Sequence, residues 1–297
     1  MSFQRAVVVG AGTMGHGIAH VCALAGIRTT LVDQSMELAS KGKQQVEKNL
    51  MKGVEKGKLS DEKAKSALAL LDASDDRGAL AESDLLIEAI PEHMDWKRAL
   101  FAFADEKMPR GALLATNTSS LSITEIASAT RRPEDVIGLH FFNPVHIMKL
   151  LEIVRGAHTS DATVARAERL AVTLEKTSIV VNDAPGFATS RLGITLGNEA
   201  MRMVEERVAS PRDIDTALKL GYGHPMGPLA LSDLVGLDVR LHITRALHEE
   251  LGTDGFRPPQ ILRRLVRAGH LGKKSGRGFY IWENGEPVSV NPLAVAR

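Results

Sequence analysis

The start of the chain shows the pattern of a strand, a helix and a second strand joined by short connections. The apolar run at residues 6–9 is continuous, which is typical of a strand buried on both faces of a parallel sheet. Apolar residues then recur at helical spacing over residues 14–25, and Gly26 supplies a helix stop. A second strand is predicted at residues 28–32. This order of elements predicts an α/β fold.

Two charged helices follow where such a fold would ordinarily continue its sheet. Lys and Glu dominate the predicted helices at residues 38–52 and 61–71, which Gly53 and Gly57 separate. Their apolar stripes are thin, so we expect a helical hairpin over about residues 36–72 that projects from the α/β unit. Two interpretations stay open: a solvated decoration of the fold, or an arm that contacts part of a long ligand.

The sheet pattern resumes beyond the hairpin. Short apolar runs alternate with helical segments, and this alternation is typical of an α/β sheet. Further strands are predicted at residues 84–87, 113–116, 136–142 and 178–181, and helices at residues 94–107, at residues 162–176 and from about Ser122. Together with the first two strands, they predict a sheet of at least six strands.

The character of the chain changes at Pro185 and Gly186, which mark a domain boundary. From there on the pattern is helical, with a strand signal only near residues 278–282. We predict an α/β domain over residues 1–183 and an all-helical domain, for substrate binding and dimerisation, over residues 184–297.

The first helix of the second domain, at about residues 187–207, carries a long apolar stripe. The stripe includes Leu192, Leu196, Ala200 and Met203. A stripe of this size suits a homodimer interface, and it equally suits the core of a helical domain. We expect a homodimer.

Composition and charge narrow the classes of function. Hydrophobic residues make up 44% and charged residues 25% of the chain, as in an ordinary globular protein. The net charge of +1 gives no drive toward nucleic acid or an anionic membrane, and only 4% of residues are aromatic, which disfavours a platform for stacked bases. The single cysteine, Cys22, fits a reducing compartment. We expect a cytoplasmic protein without signal peptide, membrane span or metal site.

The loop after the first strand has the sequence GAGTMG. It follows a strand and opens a helix, which is the context of a Rossmann dinucleotide-binding loop. Gly10 allows the tight turn, Gly12 lets the backbone approach a pyrophosphate, and Gly15 lets the helix pack on the sheet. Thr13 and Met14 lie at the helix N-terminus, where free N–H groups and the helix dipole favour phosphate binding.

Asp33 ends the second strand, about twenty residues beyond Gly12. A carboxylate there accepts hydrogen bonds from both ribose hydroxyls and repels a 2′-phosphate, so it favours NAD over NADP. The structural alternative is a turn residue that caps the next segment. FAD shares the glycine pattern, but no second nucleotide motif supports it. We therefore predict NAD as the cofactor.

Oxidation of a hydroxyl group needs a base for its proton and a partner that orients this base. Among the ten histidines, His140 lies near the end of the apolar run 136–142, and Glu152 lies in the apolar run 149–154. Ionisable groups in such runs need partners, because an isolated buried charge is expensive. A His140–Glu152 pair satisfies both residues; separate partners for each remain the alternative.

Eight segments of the chain resemble the L-3-hydroxyacyl-CoA dehydrogenase family, of the bacterial 3-hydroxybutyryl-CoA dehydrogenase type. They are GAGTMGHGIA (10–19), EAIPE (88–92), NTSSLSIT (117–124), GLHFFNPV (138–145), MKLLEIV (148–154), DAPGF (183–187), GYGHPMGPLALSDLVGLD (221–238) and LGKKSGRGFY (271–280). They occur in the family's order and spacing, and the hairpin insertion matches as well. The resemblance implies a Rossmann-type domain followed by a helical domain.

The resemblance also implies catalytic roles. His140 would be the catalytic base, and Glu152 the carboxylate that orients and polarises it. Ser119 would bind the substrate oxygen and the nicotinamide region, although a serine before a helix is also a preferred cap. Asn143 would support the His140 loop near the substrate, and a turn before Pro144 is an equally good structural interpretation.

Further contacts to cofactor and substrate are implied in the same way. Glu92, Lys97 and Asn117 resemble the family's contacts to the nicotinamide-side ribose and carboxamide, and Ala89 is placed beside the cofactor with them. Lysines of the hairpin suit the phosphates of CoA, and Lys43 is the one that we select; the alternative is a solvated helix face. The candidates are Lys41, Lys43, Lys48 and Lys52.

One position departs from the family pattern. After the PGF sequence the family usually has an asparagine near the substrate and then an arginine, whereas this chain has Ser190 before Arg191. A hydroxyl can still donate to an oxygen, but it is shorter than an amide and cannot donate and accept at two atoms. We expect Ser190 to take part in catalysis, with altered positioning of the thioester or of the 3-oxygen.

The combined prediction is reversible, NAD-dependent oxidation of a short-chain (3S)-3-hydroxyacyl-CoA, such as 3-hydroxybutyryl-CoA, to the 3-oxoacyl-CoA. One alternative keeps the scaffold and changes the substrate to a sugar acid or a free hydroxy acid. Another is a non-catalytic NAD-binding protein. The joint presence of His140 and Glu152 argues against this last alternative.

Overall fold

The computed structural model of the chain describes residues 3–295 and consists of two compact units, Met1–Ala184 and Pro185–Arg297. Each unit has its own hydrophobic core. Within residues 3–295, no helix combines the length and the apolar character that crossing a membrane requires.

The first unit is built around one sheet. Its strands are β1 (Arg5–Val9), β2 (Arg28–Val32), β3 (Leu71–Ser74), β4 (Leu85–Glu88), β5 (Leu113–Thr116), β6 (Val136–Phe141), β7 (Leu150–Arg155) and β8 (Thr177–Asn182). In the order β3-β2-β1-β4-β5-β6-β7-β8, every neighbouring pair is parallel except β6 and β7. The direction of winding reverses between β1 and β4, and sheets of this kind bind ligands there, at the carboxyl ends of the strands. The Rossmann-type sheet predicted from the sequence is confirmed.

The central strands are buried along their whole length, which explains their continuous apolar runs. Every residue of β4, β5 and β6 is buried, and the polar exceptions are Glu88, Thr116 and His140. All three lie at or next to the carboxyl end of their strand. Polar groups buried at this edge are costly unless they have partners, so the edge is where function is expected.

Six helices complete the first unit. They are α1 (Thr13–Leu24), α2 (Met36–Glu55), α3 (Asp61–Ala69), α4 (Met94–Lys107), α5 (Ile123–Ala127) and α6 (Asp161–Thr173). The hairpin helices α2 and α3 begin at Ser35 and Ser60, whose hydroxyls accept hydrogen bonds from Leu38 N and Lys63 N. Val46 of α2 is fully buried in the same core as the sheet, so the thin apolar stripe anchors the hairpin.

The end of the hairpin differs from the prediction. The helix expected at residues 61–71 ends at Ala69, and residues 71–74 form β3, which pairs in parallel with β2 at the sheet edge. The hairpin therefore packs against the fold and does not project from it. The short sequence LDAS contains no apolar run because only Leu71 is buried in this edge strand.

The second unit is helical, which confirms the predicted fold class. Its helices are α7 (Thr189–Glu205), α8 (Pro211–Tyr222), α9 (Pro228–Val235), α10 (Leu237–Leu251) and α11 (Gln260–Arg267), and its strands are β9 (Tyr280–Glu283) and β10 (Glu286–Val290). The unit expected to be all-helical thus also contains a two-stranded antiparallel hairpin. Buried Asp233 of α9 holds β9, because it accepts hydrogen bonds from Phe279 N, Tyr280 N and Trp282 Nε1.

The apolar stripe of α7 is divided between two environments. Ala200 is buried in the core of the second unit, and Met203 packs against that core. Leu192 and Leu196 remain 64% and 42% exposed. The two interpretations of the stripe therefore apply to different parts of the helix.

Candidate active site

His140 and Glu152 face each other across the one antiparallel strand pair of the sheet. The register of β6 and β7 places the two residues opposite one another, and His140 Nδ1 lies 2.7 Å from Glu152 Oε2. Both side chains are buried. With an ionised Glu152 accepting from Nδ1–H, the basic nitrogen of the imidazole is Nε2. The structure thus forms the pair that the sequence left open.

Asn117 lies beside this pair, just beyond the carboxyl end of β5. Its Oδ1 accepts a hydrogen bond from Phe141 N at 2.9 Å, which ties the end of β5 to the residue after His140. Asn117, just after β5, and His140, near the end of the neighbouring parallel strand β6, are therefore held at one edge of the sheet.

Glu92 organises the segment that contains Ser119. Glu92 Oε1 accepts hydrogen bonds from Thr118 Oγ1 at 2.5 Å and from Ser119 N at 3.0 Å, and it lies 3.4 Å from Ser119 Oγ. Burial opposes ionisation of Glu92, but the charge of Lys97 and these hydrogen bonds outweigh it and lower the pKa of Glu92 below its ordinary value. Glu92 is therefore an anion that fixes the backbone of Ser119.

Glu88 and Lys97 form a buried ion pair behind Glu92. Lys97 is only 1% exposed, and its Nζ lies 2.6 Å from Glu88 Oε1 and 3.2 Å from Glu92 Oε2. Glu88 also accepts from Thr116 Oγ1 at 2.6 Å and from Ile90 N at 2.7 Å. Burial raises the pKa of Glu88, and its three partners oppose this rise. Lys97 is predicted to contact the cofactor, and in the structure Glu88 and Glu92 hold its ammonium group.

The glycine loop has the geometry of a dinucleotide cradle. Gly10 has φ +102°, and a Cβ there would lie 2.5 Å from Ala89 O, so this position requires glycine. A Cβ at Gly15 would lie 1.6 Å from Gly10 O, which explains the close approach of α1 to the sheet. A Cβ at Gly12 would meet nothing within 4 Å. This open space beside the N-terminus of α1, where Thr13 and Met14 begin the helix, fits a pyrophosphate.

Asp33 is tied to that loop. Its Oδ2 accepts from Ala11 N at 2.6 Å, and its Oδ1 accepts from Gln34 N at 2.7 Å. The carboxylate therefore shapes the turn as well as offering its remaining lone pairs to a ribose. Asp33, Gly10, Gly12 and Ala89 line one cavity of about 680 Å³, a size that accommodates an adenosine and its phosphates.

Asn143 lies in the exposed loop that follows His140. Lys176 holds this loop, because its ammonium donates to Val145 O and to Met148 O. His146 of the same loop stacks on His20 of α1, with ring centroids 5.1 Å apart and planes 6° apart. The loop beside His140 is thus supported from two sides.

Ser190 and Lys43 belong to segments of the chain other than those described above. Ser190 is half-buried in the first turn of α7, in the second unit. Lys43 is half-buried on α2, in the hairpin, where Lys41 and Lys48 are exposed. Within residues 3–295, no hydrogen bond or ion pair of either side chain indicates a role.

Several residues of the site were not predicted from the sequence. Glu88 and Thr116 end buried strands, and a polar residue at the end of an apolar run is the signal that could have identified them. Thr118 was overlooked within the NTSS segment. The cavity wall also contains Leu38, Arg77 and Trp96, which come from three separate elements and share no sequence signal.

Comparison with known proteins identifies relatives over nearly the whole chain. The family model for the NAD binding domain of 3-hydroxyacyl-CoA dehydrogenase matches residues 5–184. The model for the C-terminal domain of the same enzymes matches residues 186–282.

Individual relatives agree with the family models. The chain is 46% identical to a probable 3-hydroxybutyryl-CoA dehydrogenase of Bacillus subtilis, over 95% of this chain and 99% of that protein. It is 43% identical to a 3-hydroxybutyryl-CoA dehydrogenase of Mycobacterium tuberculosis, over 95% and 99% of the two chains. The crystal structure of (S)-3-hydroxybutyryl-CoA dehydrogenase from Ralstonia eutropha superposes with a TM-score of 0.92 at 41% identity, covering 95% of this chain and all of that one.

Proposed function

The chain belongs to the 3-hydroxyacyl-CoA dehydrogenase family, and from this premise we propose that it oxidises short-chain (3S)-3-hydroxyacyl-CoA to 3-oxoacyl-CoA with NAD. The observation that carries the proposal is the buried His140–Glu152 pair, at 2.7 Å, on the same sheet edge as the cofactor cradle. A base of this kind suits removal of a hydroxyl proton.

His140 and Glu152 perform the proton transfer. His140 Nε2 takes the proton of the 3-hydroxyl group as the carbonyl forms. Glu152 keeps the imidazole in the required tautomer through Nδ1 and stabilises the imidazolium that results. NAD, when bound, supplies the acceptor for the hydride that leaves C3. In the reverse direction the same imidazolium returns the proton to the 3-oxygen.

Residues at the ends of β4 and β5 position the reacting groups. We assign Ser119 to the substrate oxygen and to the nicotinamide region, because Glu92 holds its backbone at the carboxyl edge of the sheet. Asn117, next to the His140 strand, is assigned to the nicotinamide side with Glu92, and Lys97 acts there mainly by fixing Glu92. Positioning of this kind supplies much of the rate enhancement of two-substrate reactions.

The acyl-CoA substrate is assigned to the remaining predicted residues. Asn143, in the loop beside His140, and Ser190 are proposed to contact the acyl portion. Lys43 of α2 is proposed to contact a CoA phosphate, with Lys41 and Lys48 on the same helix. The hairpin would then be the arm that contacts the long ligand.

We further propose that the enzyme is a cytoplasmic homodimer. Leu192 and Leu196 on α7 are large apolar residues that stay exposed on the single chain. Apolar groups clustered on one helix face are typical of surfaces that bind another protein. We propose that a second copy of the chain covers Leu192 and Leu196.

The function is tested by NADH formation from 3-hydroxybutyryl-CoA, compared with free 3-hydroxybutyrate and with the sugar acid gulonate. Only the CoA thioester should be oxidised efficiently, because binding of the CoA end positions C3 at His140. Efficient oxidation of a free acid, without the thioester, would instead make the protein a dehydrogenase of a sugar acid or a free hydroxy acid.

The base is tested by His140→Gln. This variant should lose turnover by at least about 10²-fold, since it retains shape but lacks the base, while its affinity for NAD stays unchanged. Substantial turnover of the variant at all pH values would remove His140 from the assigned role.

A further inference from the structure

The wall of the cofactor cavity contains apolar surface that the packing of the chain leaves exposed. Trp96 is 52% exposed and Leu38 is 45% exposed, and both side chains line the cavity of about 680 Å³ that also contains Asp33. An indole left half in water forgoes much of its burial energy. Apolar groups in a concave site with a few polar ones are typical of a surface that a ligand covers.

The strand order shows which half of NAD reaches this wall. Asp33 follows β2, and the glycine loop follows β1, so these strand ends would hold the adenosine ribose and the pyrophosphate of NAD. His140 and Asn117 belong to the ends of β6 and β5, on the opposite side of β4. The residues at β5 and β6 would therefore hold the reacting half of the cofactor. The lining of the cavity includes Asp33 and the glycine loop but neither Asn117 nor His140, so the cavity suits the adenosine half and the pyrophosphate.

Trp96 is held on a fixed part of that wall. It is the third residue of α4, and its ring stacks on His93 at 4.9 Å with planes 24° apart. Lys97, the next residue, anchors the same turn through the buried ion pair with Glu88. Ala99 lies one turn further on the cavity side and adds little bulk. The indole is thus partly ordered before any ligand binds.

We propose that Trp96 is the adenine-stacking residue of the NAD site. The proposal rests on the use of NAD in the proposed function. A purine presents a flat π-face, and stacking on an indole buries one face of each ring without requiring hydrogen bonds from the protein. Trp96 then contributes to affinity for the adenosine half and makes no contact with the reacting half.

Trp96 can report its own contact. The sequence has two tryptophans, Trp96 and Trp282, so Trp282→Phe leaves Trp96 as the single emitter and Trp96→Phe leaves Trp282. ADP-ribose, which has adenine and no nicotinamide, should quench Trp96 emission as NAD does, and nicotinamide mononucleotide should not. If Trp282→Phe does not fold, the difference between the unaltered chain and Trp96→Phe gives the same signal.

Affinity supplies the second measurement. Trp96→Ala should weaken binding of NAD and of ADP-ribose about 10-fold, equivalent to about 1.4 kcal/mol, measured by calorimetry. Trp96→Phe should retain most of the affinity, because a phenyl ring still stacks. The matched control is Phe103→Ala, which removes a partly exposed aromatic ring further along α4 and should leave both affinities unchanged.

Equal affinity of Trp96→Ala and the unaltered chain for ADP-ribose would overturn the stacking proposal, and so would Trp96 emission that ADP-ribose does not alter. Either result leaves the dehydrogenase function in place, provided that 3-hydroxybutyryl-CoA is oxidised. Conversely, quenching by ADP-ribose without oxidation of any 3-hydroxyacyl-CoA would reject the proposed function alone.

Discussion

At the scale of single residues, the catalytic role that we propose for His140 depends on the burial of its partner. Glu152 is fully buried between strands, so water does not screen its charge from the imidazole. The same carboxylate in an exposed loop would stabilise an imidazolium far less. This is the reason why we propose that Glu152, when ionised, makes His140 a suitable base for a hydroxyl group.

Glu152→Gln tests this dependence directly. The amide oxygen can still accept from Nδ1–H, but the charge that stabilises the imidazolium is absent, so kcat should fall about 10²- to 10⁴-fold. The measurement is steady-state oxidation of 3-hydroxybutyryl-CoA at saturating NAD. NAD affinity, determined in parallel, should not change. A kcat within tenfold of the unaltered enzyme would show that the charge of Glu152 is dispensable.

His20 gives the fold a dependence on acid. Burial, followed by the nearby His146, His16 and Lys176, lowers the pKa of His20 from 6.5 to about 4. The folded state thus binds a proton less readily than the unfolded chain. The stability that depends on neutral His20 is complete above pH 6.5 and is lost as the pH falls through about 4.

At pH 5, protonation of His20 in the unfolded chain lowers the free energy of unfolding by about 2 kcal/mol. The side chain of glutamine does not titrate in this range. His20→Gln should therefore show a smaller decrease in unfolding free energy between pH 7.5 and pH 5 than the unaltered chain. Urea titrations at the two pH values measure it. Parallel decreases in both proteins would mean that other groups cause the acid sensitivity.

At the scale of elements, a buried ionic network connects β4, α4 and the end of β5. Lys97 comes from the helix, Glu88 from one strand end, and Thr116 from the next, and the network continues through Glu92 to Ser119. Removing one member of a buried pair leaves an uncompensated charge, which is costly. Stability and the position of Ser119 are therefore coupled.

Glu88→Gln should destabilise the protein by about 3 kcal/mol, because Lys97 keeps its charge without its closest partner. Combining it with Lys97→Met removes both charges and should restore part of the stability, as urea unfolding measures. Turnover of the double variant should stay below that of the unaltered enzyme, because Glu92 has lost the Lys97 ammonium that holds it. Recovery of both properties together would show that the network serves stability alone.

At the scale of the whole molecule, the chain consists of two units with separate hydrophobic cores. The first contains the cofactor cradle and the His140–Glu152 pair, and the second contains the exposed leucines of α7. Assembly of two chains through α7 would bury these leucines and add stability that depends on protein concentration.

Light scattering tests this assembly. The unaltered chain should have twice the mass of 32.1 kDa, and Leu192→Glu combined with Leu196→Glu should shift it toward one copy, because charges at a packed interface are costly. Val172→Glu is the matched control, since Val172 is an exposed apolar residue on α6 of the first unit. A mass of 32.1 kDa for the unaltered chain would reject the dimer.

Much of the fold could be predicted because its signals are local. Continuous apolar runs mark β1, β4, β5 and β6, and the glycine loop follows the first of them. Edge strand β3 was missed because it buries only Leu71, and an edge strand needs no apolar run. Of the hairpin β9–β10, the sequence predicts only the first strand, because β10 is almost entirely exposed.

The sequence by itself determined the Rossmann-type fold and NAD as the cofactor, because the glycine pattern, Asp33 and the apolar runs depend on residues close together in the chain. The prediction of His140 as the base came from the resemblance of eight segments to the family. Only the tertiary structure decided which groups meet. The antiparallel register of β6 and β7 joins His140 to Glu152, and the packing of α4 on β4 joins Lys97 to Glu88. Such contacts are set by strand order and packing, which bring together residues that no local pattern connects.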